Sequence, residues 1–294
     1  MNITKALYHQ NGLVRKSSAA ILRGARFAKR CRQTQEDLEA CPPVFVNSLP
    51  KSGTHLLNQL VTAFPNLVEY GAFLGSMTSS YRFRERSKQN TLKFIQSFLA
   101  KEIVRGHLFY ELEYDLALRK QNVVHYFIYR DLRDVVVSEA YYLRNINRWH
   151  RLHAYFRELP TLADAITCSI CGLNDQWPGI NYPNIADRFA RYAGWLESPT
   201  VCTLKFEALV GSKQEESLTQ ITDFYSRQLC YDINPERYLE AMRVAIAPKR
   251  SHTFRKGKSG GWRNEFTSEH RKVFNTLAGD LLINLGYETD DSWV

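Results

Sequence analysis

The fold is decided by residues 44–57, which read Val44-Phe45-Val46-Asn47-Ser48-Leu49-Pro50-Lys51-Ser52-Gly53-Thr54-His55-Leu56-Leu57. A short apolar run breaks at Pro50, and an apolar pattern with helical spacing resumes at Leu56, Leu57, Leu60 and Val61. The stretch therefore predicts a strand, a tight turn and a helix in immediate succession.

The turn itself carries groups that bind anions. Gly53 frees the backbone to curl, Ser52 and Thr54 add hydroxyl donors, and Lys51 adds a mobile cation. The N-terminal N–H groups of the predicted helix point at the same place. One interpretation is a phosphate or sulfate site, and the other is an ordinary strand-to-helix connection with a surface lysine. The turn is not a Walker A loop, because Lys51 precedes Gly53 and the first glycine of that motif is absent.

The composition of the 294-residue chain, with 44% hydrophobic residues, is sufficient for a substantial core. Its net charge of +9 favours a polyanionic partner such as a nucleotide, a nucleic acid or an acidic surface. No apolar run approaches the length of a membrane span, and the N-terminus lacks the apolar region of a secretory signal. We therefore expect a cytoplasmic protein without stable membrane insertion. The six scattered cysteines agree with a reducing compartment.

The chain divides into a basic arm and a single domain. Residues 1–41 form the arm, in which arginines and lysines alternate with apolar residues in the pattern of an amphipathic helix. This helix could lie across the domain, lie on a membrane surface or belong to a transit peptide. Pro42 and Pro43 end it, and residues 42–294 form the domain.

Buried strands and helices alternate through the domain. Residues 123–129 are the clearest strand, because they are β-branched and aromatic without polar alternation. Shorter strands are predicted at 103–104 and 201–206, whereas residues 66–100 contain only one predicted element, a helix over 91–99. The alternation predicts an α/β fold with a central, mainly parallel sheet flanked by helices.

A second candidate site follows the strand at residues 123–129. Arg130 comes directly after that strand, where ligands bind in parallel sheets, and Ser138 lies early in the next predicted helix. A guanidinium and a hydroxyl that converge here would suit a phosphate. The alternative is an ion pair between Arg130 and Asp131 or Asp134.

A third candidate is the late loop Arg255-Lys256-Gly257-Lys258-Ser259-Gly260-Gly261-Trp262-Arg263. Its cations and glycines would let it wrap an anion with side chains and backbone N–H groups together. Taken alone, it could equally contact a nucleic acid or lie in solvent.

These three stretches, in this order, resemble the signature elements of the cytosolic-type sulfotransferases, which use 3′-phosphoadenosine 5′-phosphosulfate (PAPS). Residues 50–54 are similar to the 5′-phosphosulfate loop of that family, Arg130 and Ser138 resemble its pair of 3′-phosphate ligands, and residues 255–257 resemble its loop over the nucleotide. The resemblance spans about residues 43–267. It implies a P-loop-like three-layer fold, PAPS as cofactor with adenosine 3′,5′-bisphosphate (PAP) as product, and no metal.

The resemblance also assigns residues to the cofactor and to catalysis. The implied cofactor-binding residues are Lys51, Ser52, Gly53, Thr54, His55, Leu56, Arg130, Ser138, Arg255, Lys256 and Gly257. Arg105-Gly106-His107-Leu108 occupies the place of the family's catalytic histidine segment, so His107 is the implied base. A neutral imidazole can take the proton that an acceptor hydroxyl or amine loses as it attacks sulfur. Lys51 would stabilise the leaving phosphate oxygen, and Ser138 would hold Lys51 back until the acceptor is present.

Two other functions remain open at this stage. A P-loop-like kinase would require a Walker A pattern and ligands for Mg²⁺, and the former is missing. A non-enzymatic nucleic-acid-binding protein is suggested by the net charge, but the cations lie beside glycines and strand ends and do not line one helix face. We therefore predict a small-molecule acceptor of unspecified identity, no nucleic-acid partner, and a monomer or a homodimer.

Two stretches are candidates for contact with the acceptor. Glu111, Glu113 and Asp115 follow His107 and would either receive a cationic acceptor or lie in solvent. Residues 149–156 are rich in histidine and aromatic side chains and lie where the family has loops of the acceptor pocket.

Overall fold

The structure is a computed structural model that describes residues 12–173, 179–246 and 259–294. Its centre is a sheet of five strands, which are β1 (Val44–Ser48), β2 (Val68–Gly75), β3 (Glu102–His107), β4 (Val124–Tyr129) and β5 (Val201–Lys205). The strand order is β2-β3-β1-β4-β5, and each pairing is parallel. The predicted α/β fold with a parallel sheet is confirmed.

Helices flank this sheet. Those in the described residues are α1 (Gly12–Arg30), α2 (Gln35–Ala40), α3 (Thr54–Thr62), α4 (Lys88–Ile95), α5 (Leu112–Lys120), α6 (Leu132–Tyr141), α7 (His153–Glu158), α8 (Leu162–Cys171), α9 (Ile185–Glu197), α10 (Phe206–Val210), α11 (Gln214–Ser226), α12 (Pro235–Ala245) and α13 (Ser268–Asn284). Helix α6 continues into a π-helical turn at Tyr142–Ile146, and Gly261–Asn264 and Asp291–Trp293 form 3₁₀ turns.

Alternate residues of the central strands fill two separate apolar layers. In β1, Val46 belongs to one layer and Phe45 to the other, and in β4 Tyr126 and Phe127 divide in the same way. All four side chains are fully buried. Because successive side chains of a strand point to opposite faces, both faces of the sheet must be covered by helices. This produces the three-layer arrangement, and it confirms that these strands are buried on both faces.

Strand β2 was absent from the sequence-based assignment. Its sequence, Val-Glu-Tyr-Gly-Ala-Phe-Leu-Gly, has neither strict alternation nor a continuous apolar run. The strand lies at the edge of the sheet, and its register against β3 shifts between Glu69 and Phe73. Gly71 lies within the shifted part and has a φ of +77°. The missing periodicity is therefore a consequence of an irregular edge strand.

The described part of the basic arm lies against the β2–β3 edge of the domain. The guanidinium of Arg26 forms an ion pair with the fully buried carboxylate of Glu102, with a separation of 2.6 Å between Nε and Oε1. Lys29 Nζ donates to the carbonyl of Ala100 at 2.7 Å. Because these two cations of α1 bond to groups on the domain, this helix is held across it. The division at residues 41 and 42 stays a prediction.

Among the residues that the structure describes, no helix has both the length and the apolar character needed to cross a bilayer.

A buried histidine in β4 should make the stability of the fold depend on pH. His125 lies between Phe45 and Trp195, with ring centroids 4.9 and 4.6 Å away, and neither of its ring nitrogens has a hydrogen-bond partner among the described residues. Burial lowers the pKa of His125 from 6.5 to about 3. The unfolded chain therefore binds a proton that the folded chain excludes, so stability is complete above pH 6.5 and falls as the pH drops toward 3.

We expect His125→Phe to weaken this pH dependence, because the ring is kept and the titration is removed. For the wild type, the contribution of His125 to the free energy of unfolding should fall by about 2 kcal/mol between pH 7 and pH 5. Urea denaturation of both proteins at the two pH values measures the difference. Identical losses in wild type and variant would show that His125 is not protonated on unfolding.

Candidate active site

The carboxyl ends of β1, β3 and β4 open into one cavity of about 830 Å³. Eight of the predicted site residues line this cavity, namely Lys51, Gly53, Thr54, His55, Leu56, His107, Arg130 and Ser138. Ser52 is fully buried and does not line it. The predicted residues Arg255, Lys256 and Gly257 lie outside the residues that the structure describes. The parallel sheet thus brings together residues that are far apart in sequence.

The loop between β1 and α3 has a geometry that suits a tetrahedral anion. Gly53 has a φ of +98°, and a Cβ atom at this position would lie 2.5 Å from the Phe206 ring, so only glycine fits. Gly53 is also the N-cap of α3 and provides no side-chain hydrogen bond to the first turn. The first N–H groups of α3 therefore have no partner within the helix. Ser52 Oγ is buried and has no hydrogen-bond partner among the described residues, so a donor is available here as well.

Lys51 extends from this loop to an aromatic ring. Its own φ is +69°, and its ammonium lies 4.1 Å from the ring centroid of Tyr142, in cation–π geometry. Burial lowers the pKa of Lys51 to about 8, Glu139 opposes this shift, and Arg130 adds to it. The cavity therefore holds a lysine that an anion would stabilise in its charged form. No hydrogen bond joins Lys51 to Ser138, although both line the cavity.

His107 ends β3 at the wall of the same cavity. Its Nδ1 lies 2.9 Å from the carbonyl oxygen of Ser48 and 3.0 Å from the hydroxyl of that residue. Because a carbonyl can only accept, the proton of the neutral ring belongs on Nδ1, and Nε2 keeps its lone pair. Burial lowers the pKa of His107 to about 4. The imidazole is therefore neutral at pH 7, and its basic nitrogen is the one that Ser48 does not bind.

Arg130 adds a cation from the end of β4. Its Nη2 lies 3.1 Å from Oδ2 of Asp134, and its guanidinium lies 4.5 Å from the Phe206 ring centroid. Arg130 therefore forms the ion pair with Asp134 that was the alternative interpretation, and it also lines the cavity. Asp134 also accepts hydrogen bonds from the backbone N–H groups of Gly260, at 2.8 Å, and Trp262, at 2.9 Å. Arg130 is therefore linked to the described end of the late loop.

The remainder of the cavity wall is mostly apolar and aromatic. Its side chains include Phe73, Met77, Phe83, Val137, Tyr142, Leu143 and Tyr192. The Phe73 ring stands edge-on to the His107 ring, with 5.3 Å between centroids. Two carboxylates, those of Asp134 and Glu139, also line the described wall. Oε2 of Glu139 accepts a hydrogen bond from Nη2 of Arg188 at 3.0 Å. An apolar molecule with a polar group next to His107 would fit these surfaces.

Most of the other acceptor candidates point elsewhere. Asp115 is buried and forms an ion pair with Arg119 at 2.6 Å, and Glu113 pairs with the exposed Lys88. Neither carboxylate lines the cavity, so the acidic cluster is not a wall of this site. Among residues 149–156, His150 lines the cavity and the rest do not. No group of three or more metal-ligating side chains occurs in the described parts of the chain.

Several residues of the site have no role in the sequence analysis. Phe206 packs against Gly53 and Arg130, and it directly follows β5, so the rule that sites form at the carboxyl ends of parallel strands could have found it. Ser48 and Tyr142 act through a hydrogen bond or a ring contact with residues distant in sequence, and the bonds of Asp134 to the late loop are of the same kind, although its ion pair with Arg130 was among the alternatives. No local pattern reports such contacts.

Comparison with known proteins agrees with this geometry. A sequence profile of the sulfotransferase domain matches residues 42–286. A search of curated proteins finds no match. The mouse sulfotransferase SULT7A1 complexed with PAP is a similar solved structure, with a TM-score of 0.57 and 20% identity over 82% of this chain and 84% of that chain.

Two structures of retinol dehydratase are also similar. The complex with retinol and PAP has a TM-score of 0.53 and 17% identity, over 82% of this chain and 81% of that chain. The complex with androsterone and the inactive cofactor PAP has a TM-score of 0.52 and 15% identity, over 87% of this chain and 85% of that chain. At these identities the structures establish the fold, and the sequence profile establishes the family. The chain belongs to the sulfotransferase family.

Proposed function

We propose that this protein transfers the sulfuryl group of PAPS to a hydroxyl or amine of a small apolar acceptor. The observation that carries the proposal is the convergence of Lys51, Arg130 and His107 on one cavity beside the uncapped start of α3. Family membership and the similar structures that contain PAP support PAPS as the cofactor. The same comparisons favour sulfuryl transfer over the kinase and the nucleic-acid-binding alternatives.

The chain offers a set of groups for each part of the nucleotide. PAPS, when bound, supplies the activated sulfuryl group. In this proposal, the N–H groups at the start of α3 hold its 5′-phosphosulfate together with Lys51 and the hydroxyls of Ser52 and Thr54, and the position of Lys51 and Thr54 on the cavity wall supports this assignment. Arg130 and Ser138, which also line the cavity, would hold the 3′-phosphate, and the loop at residues 255–257 would complete the binding. Leu56 lines the cavity but offers no ring for the adenine.

His107 and Lys51 have complementary roles in this proposal. Nε2 of His107 takes the proton from the acceptor, because Nδ1 is occupied by its hydrogen bond to Ser48. The ammonium of Lys51 stabilises the negative charge that develops on the leaving phosphate oxygen, and burial strengthens this electrostatic contribution. The resemblance to the family implies that Ser138 restrains Lys51 until the acceptor is present.

The acceptor half of the cavity supports an apolar substrate. Aromatic side chains, among them Phe73, Phe83 and Tyr192, form much of its wall. The retinol dehydratase structures hold retinol and androsterone, which are apolar molecules. We propose an acceptor of comparable apolar character. The cytoplasmic location, the monomeric or homodimeric state and the independence from metal ions stay predictions.

Isothermal titration calorimetry tests the proposed cofactor. We expect tight binding of PAP, weak binding of ATP without Mg²⁺, and no DNA binding that depends steeply on salt. ATP binding that becomes tight with Mg²⁺, accompanied by weak PAP binding, would support the kinase instead. Steeply salt-dependent DNA binding would support the nucleic-acid-binding protein.

Arg130→Ala should weaken binding chiefly for nucleotides that carry the 3′-phosphate. We expect the affinity for PAP to fall about tenfold to a hundredfold, because charge-assisted hydrogen bonds are lost, while the affinity for adenosine 5′-phosphate changes little. Calorimetry with both ligands measures the difference. Arg119→Ala is the matched control, since Arg119 pairs with Asp115 outside the cavity. An equal loss for both ligands in Arg130→Ala would contradict this role.

A further inference from the structure

We propose that Ser48 is a positioning residue that couples the anion-binding loop to His107 through a chain of hydrogen bonds. The chain runs from Nδ1 of His107 to Ser48 Oγ and from there to Oγ1 of Thr54. The proposal rests on the proposed function, because it assigns His107 as the base. It adds a residue to which the sequence analysis assigns no role and which does not line the cavity, since Ser48 is buried.

The distances define a continuous chain. His107 Nδ1 lies 3.0 Å from Ser48 Oγ, and Ser48 Oγ lies 2.6 Å from Thr54 Oγ1. Thr54 is the first residue of α3 and lines the cavity, whereas Ser48 has no exposed surface. Water therefore does not compete for the central hydroxyl. Low local polarity strengthens such hydrogen bonds and lets each polarise the next.

The direction of the chain follows from the Ser48 carbonyl. This oxygen lies 2.9 Å from His107 Nδ1 and can only accept, so Nδ1 must carry the proton. The Ser48 hydroxyl therefore cannot donate to Nδ1, and because Thr54 Oγ1 is its other hydrogen-bond partner among the described residues, we assign Ser48 as the donor to Thr54 Oγ1. Thr54 in turn keeps its own proton for another acceptor. That proton is available to an anion in the cavity, so every donor in the chain points from the base to the anion site.

Neighbouring contacts hold the two ends of the chain in register. Asn47 precedes Ser48 in β1 and pairs with Gly106 of β3. Its side chain accepts from Leu108 N at 2.9 Å and donates to Leu108 O at 3.2 Å. Asn47 thus clamps the residue after His107 to the residue before Ser48. A rigid connection of this kind is required if a hydrogen bond at Thr54 is to affect the imidazole.

The functional consequence is coupling between cofactor and base. An anion that accepts from Thr54 polarises the Thr54 and Ser48 hydroxyls and strengthens the hydrogen bond from Nδ1. A stronger hydrogen bond from Nδ1 makes Nε2 a better proton acceptor and holds the ring in the productive tautomer. The base is thereby at its most basic when the sulfuryl donor is in place.

The test follows the ¹⁵N signals of the His107 ring, assigned with His107→Gln. In the wild type, we expect Nδ1 to be protonated without ligand and its signal to shift when PAP is added. Ser48→Ala should abolish most of that shift, and Ser48→Thr, which keeps the hydroxyl, should restore it. Ser217→Ala is the matched control. Ser217 is a buried serine of α11 whose hydroxyl donates to the carbonyl of Lys213, and this variant should respond as the wild type does.

Two further measurements keep the test decisive. Thr54→Val breaks the chain at its other end and should lose the same shift, which covers a failure of Ser48→Ala to fold. With an acceptor that takes the sulfuryl group, Ser48→Ala should lower kcat about tenfold without raising KM for PAPS, as expected for one lost hydrogen bond. An unchanged PAP-induced shift in Ser48→Ala and Thr54→Val would overturn the proposal. A wild type that shows the shift but transfers no sulfuryl group would refute the proposed function and leave the coupling intact.

Discussion

We expect His107→Ala to abolish sulfuryl transfer and to leave the affinity for PAP nearly unchanged. This is the expected result, because the proposal makes His107 the base: its Nδ1 is held by the carbonyl of Ser48, and Nε2 keeps the lone pair that would take the acceptor proton. General base catalysis of this kind contributes about a factor of 10² to 10⁴ to the rate. Steady-state turnover of PAPS and calorimetry with PAP measure the two effects separately.

The comparison needs a histidine of similar chemistry outside the proposed mechanism. His153 bonds through Nδ1 to the carbonyl of Leu143 and does not line the cavity, so His153→Ala is the matched control and should retain most of the activity. Wild-type turnover in His107→Ala would show that His107 is not the base. A large loss of PAP affinity in the same variant would reassign His107 to nucleotide binding.

Lys51→Ala is expected to have a comparable effect on the rate. In the proposed mechanism, loss of a preorganised cation at the leaving oxygen costs about a factor of 10² to 10³ in kcat. PAP affinity should also fall, since Lys51 contributes to the charge that holds the nucleotide. Turnover at saturating PAPS separates the effect on kcat from the effect on binding.

The pH profile of kcat/KM tests whether the positive charge of Lys51 is required for activity. The value of kcat/KM should rise with pH as His107, whose pKa is about 4, becomes neutral. It should fall above pH 8 as Lys51, whose pKa is about 8, loses its proton. Lys51→Arg keeps the cation at all accessible pH values, so the upper limb of its profile should move to higher pH. An upper limb that stays near pH 8 in Lys51→Arg would assign that titration to another group.

Local sequence patterns predicted most of the fold. The strand before Pro50 and the strand at residues 123–129 are confirmed, because their residues are buried on both faces and each sequence is mainly apolar. Strand β2 was missed, since its pairing depends on β3 and on an irregular register that its own residues do not specify. An edge strand of this kind is stabilised by its neighbour and needs no strong local signal.

The candidate site was predictable as a set of residues but not as a network. His107 ends β3, Arg130 directly follows β4, and Lys51 lies in the loop between β1 and α3, so the parallel sheet accounts for their meeting in one cavity. The contacts that orient them are of a different kind. Ser48 binds His107 across the pairing of β1 with β3, and Asp134 joins Arg130 to the late loop. Such contacts depend on tertiary packing, which single-sequence patterns do not encode.

Transfer of label from radioactive PAPS to an organic acceptor tests the central claim most directly. The protein is incubated with labelled PAPS and a panel of phenols, steroids and amines, and products are identified by mass. The account predicts a sulfated product of an apolar acceptor, formed with an equal amount of PAP and absent with His107→Ala. Binding of PAP without label on any member of the panel, at any enzyme concentration, would contradict it.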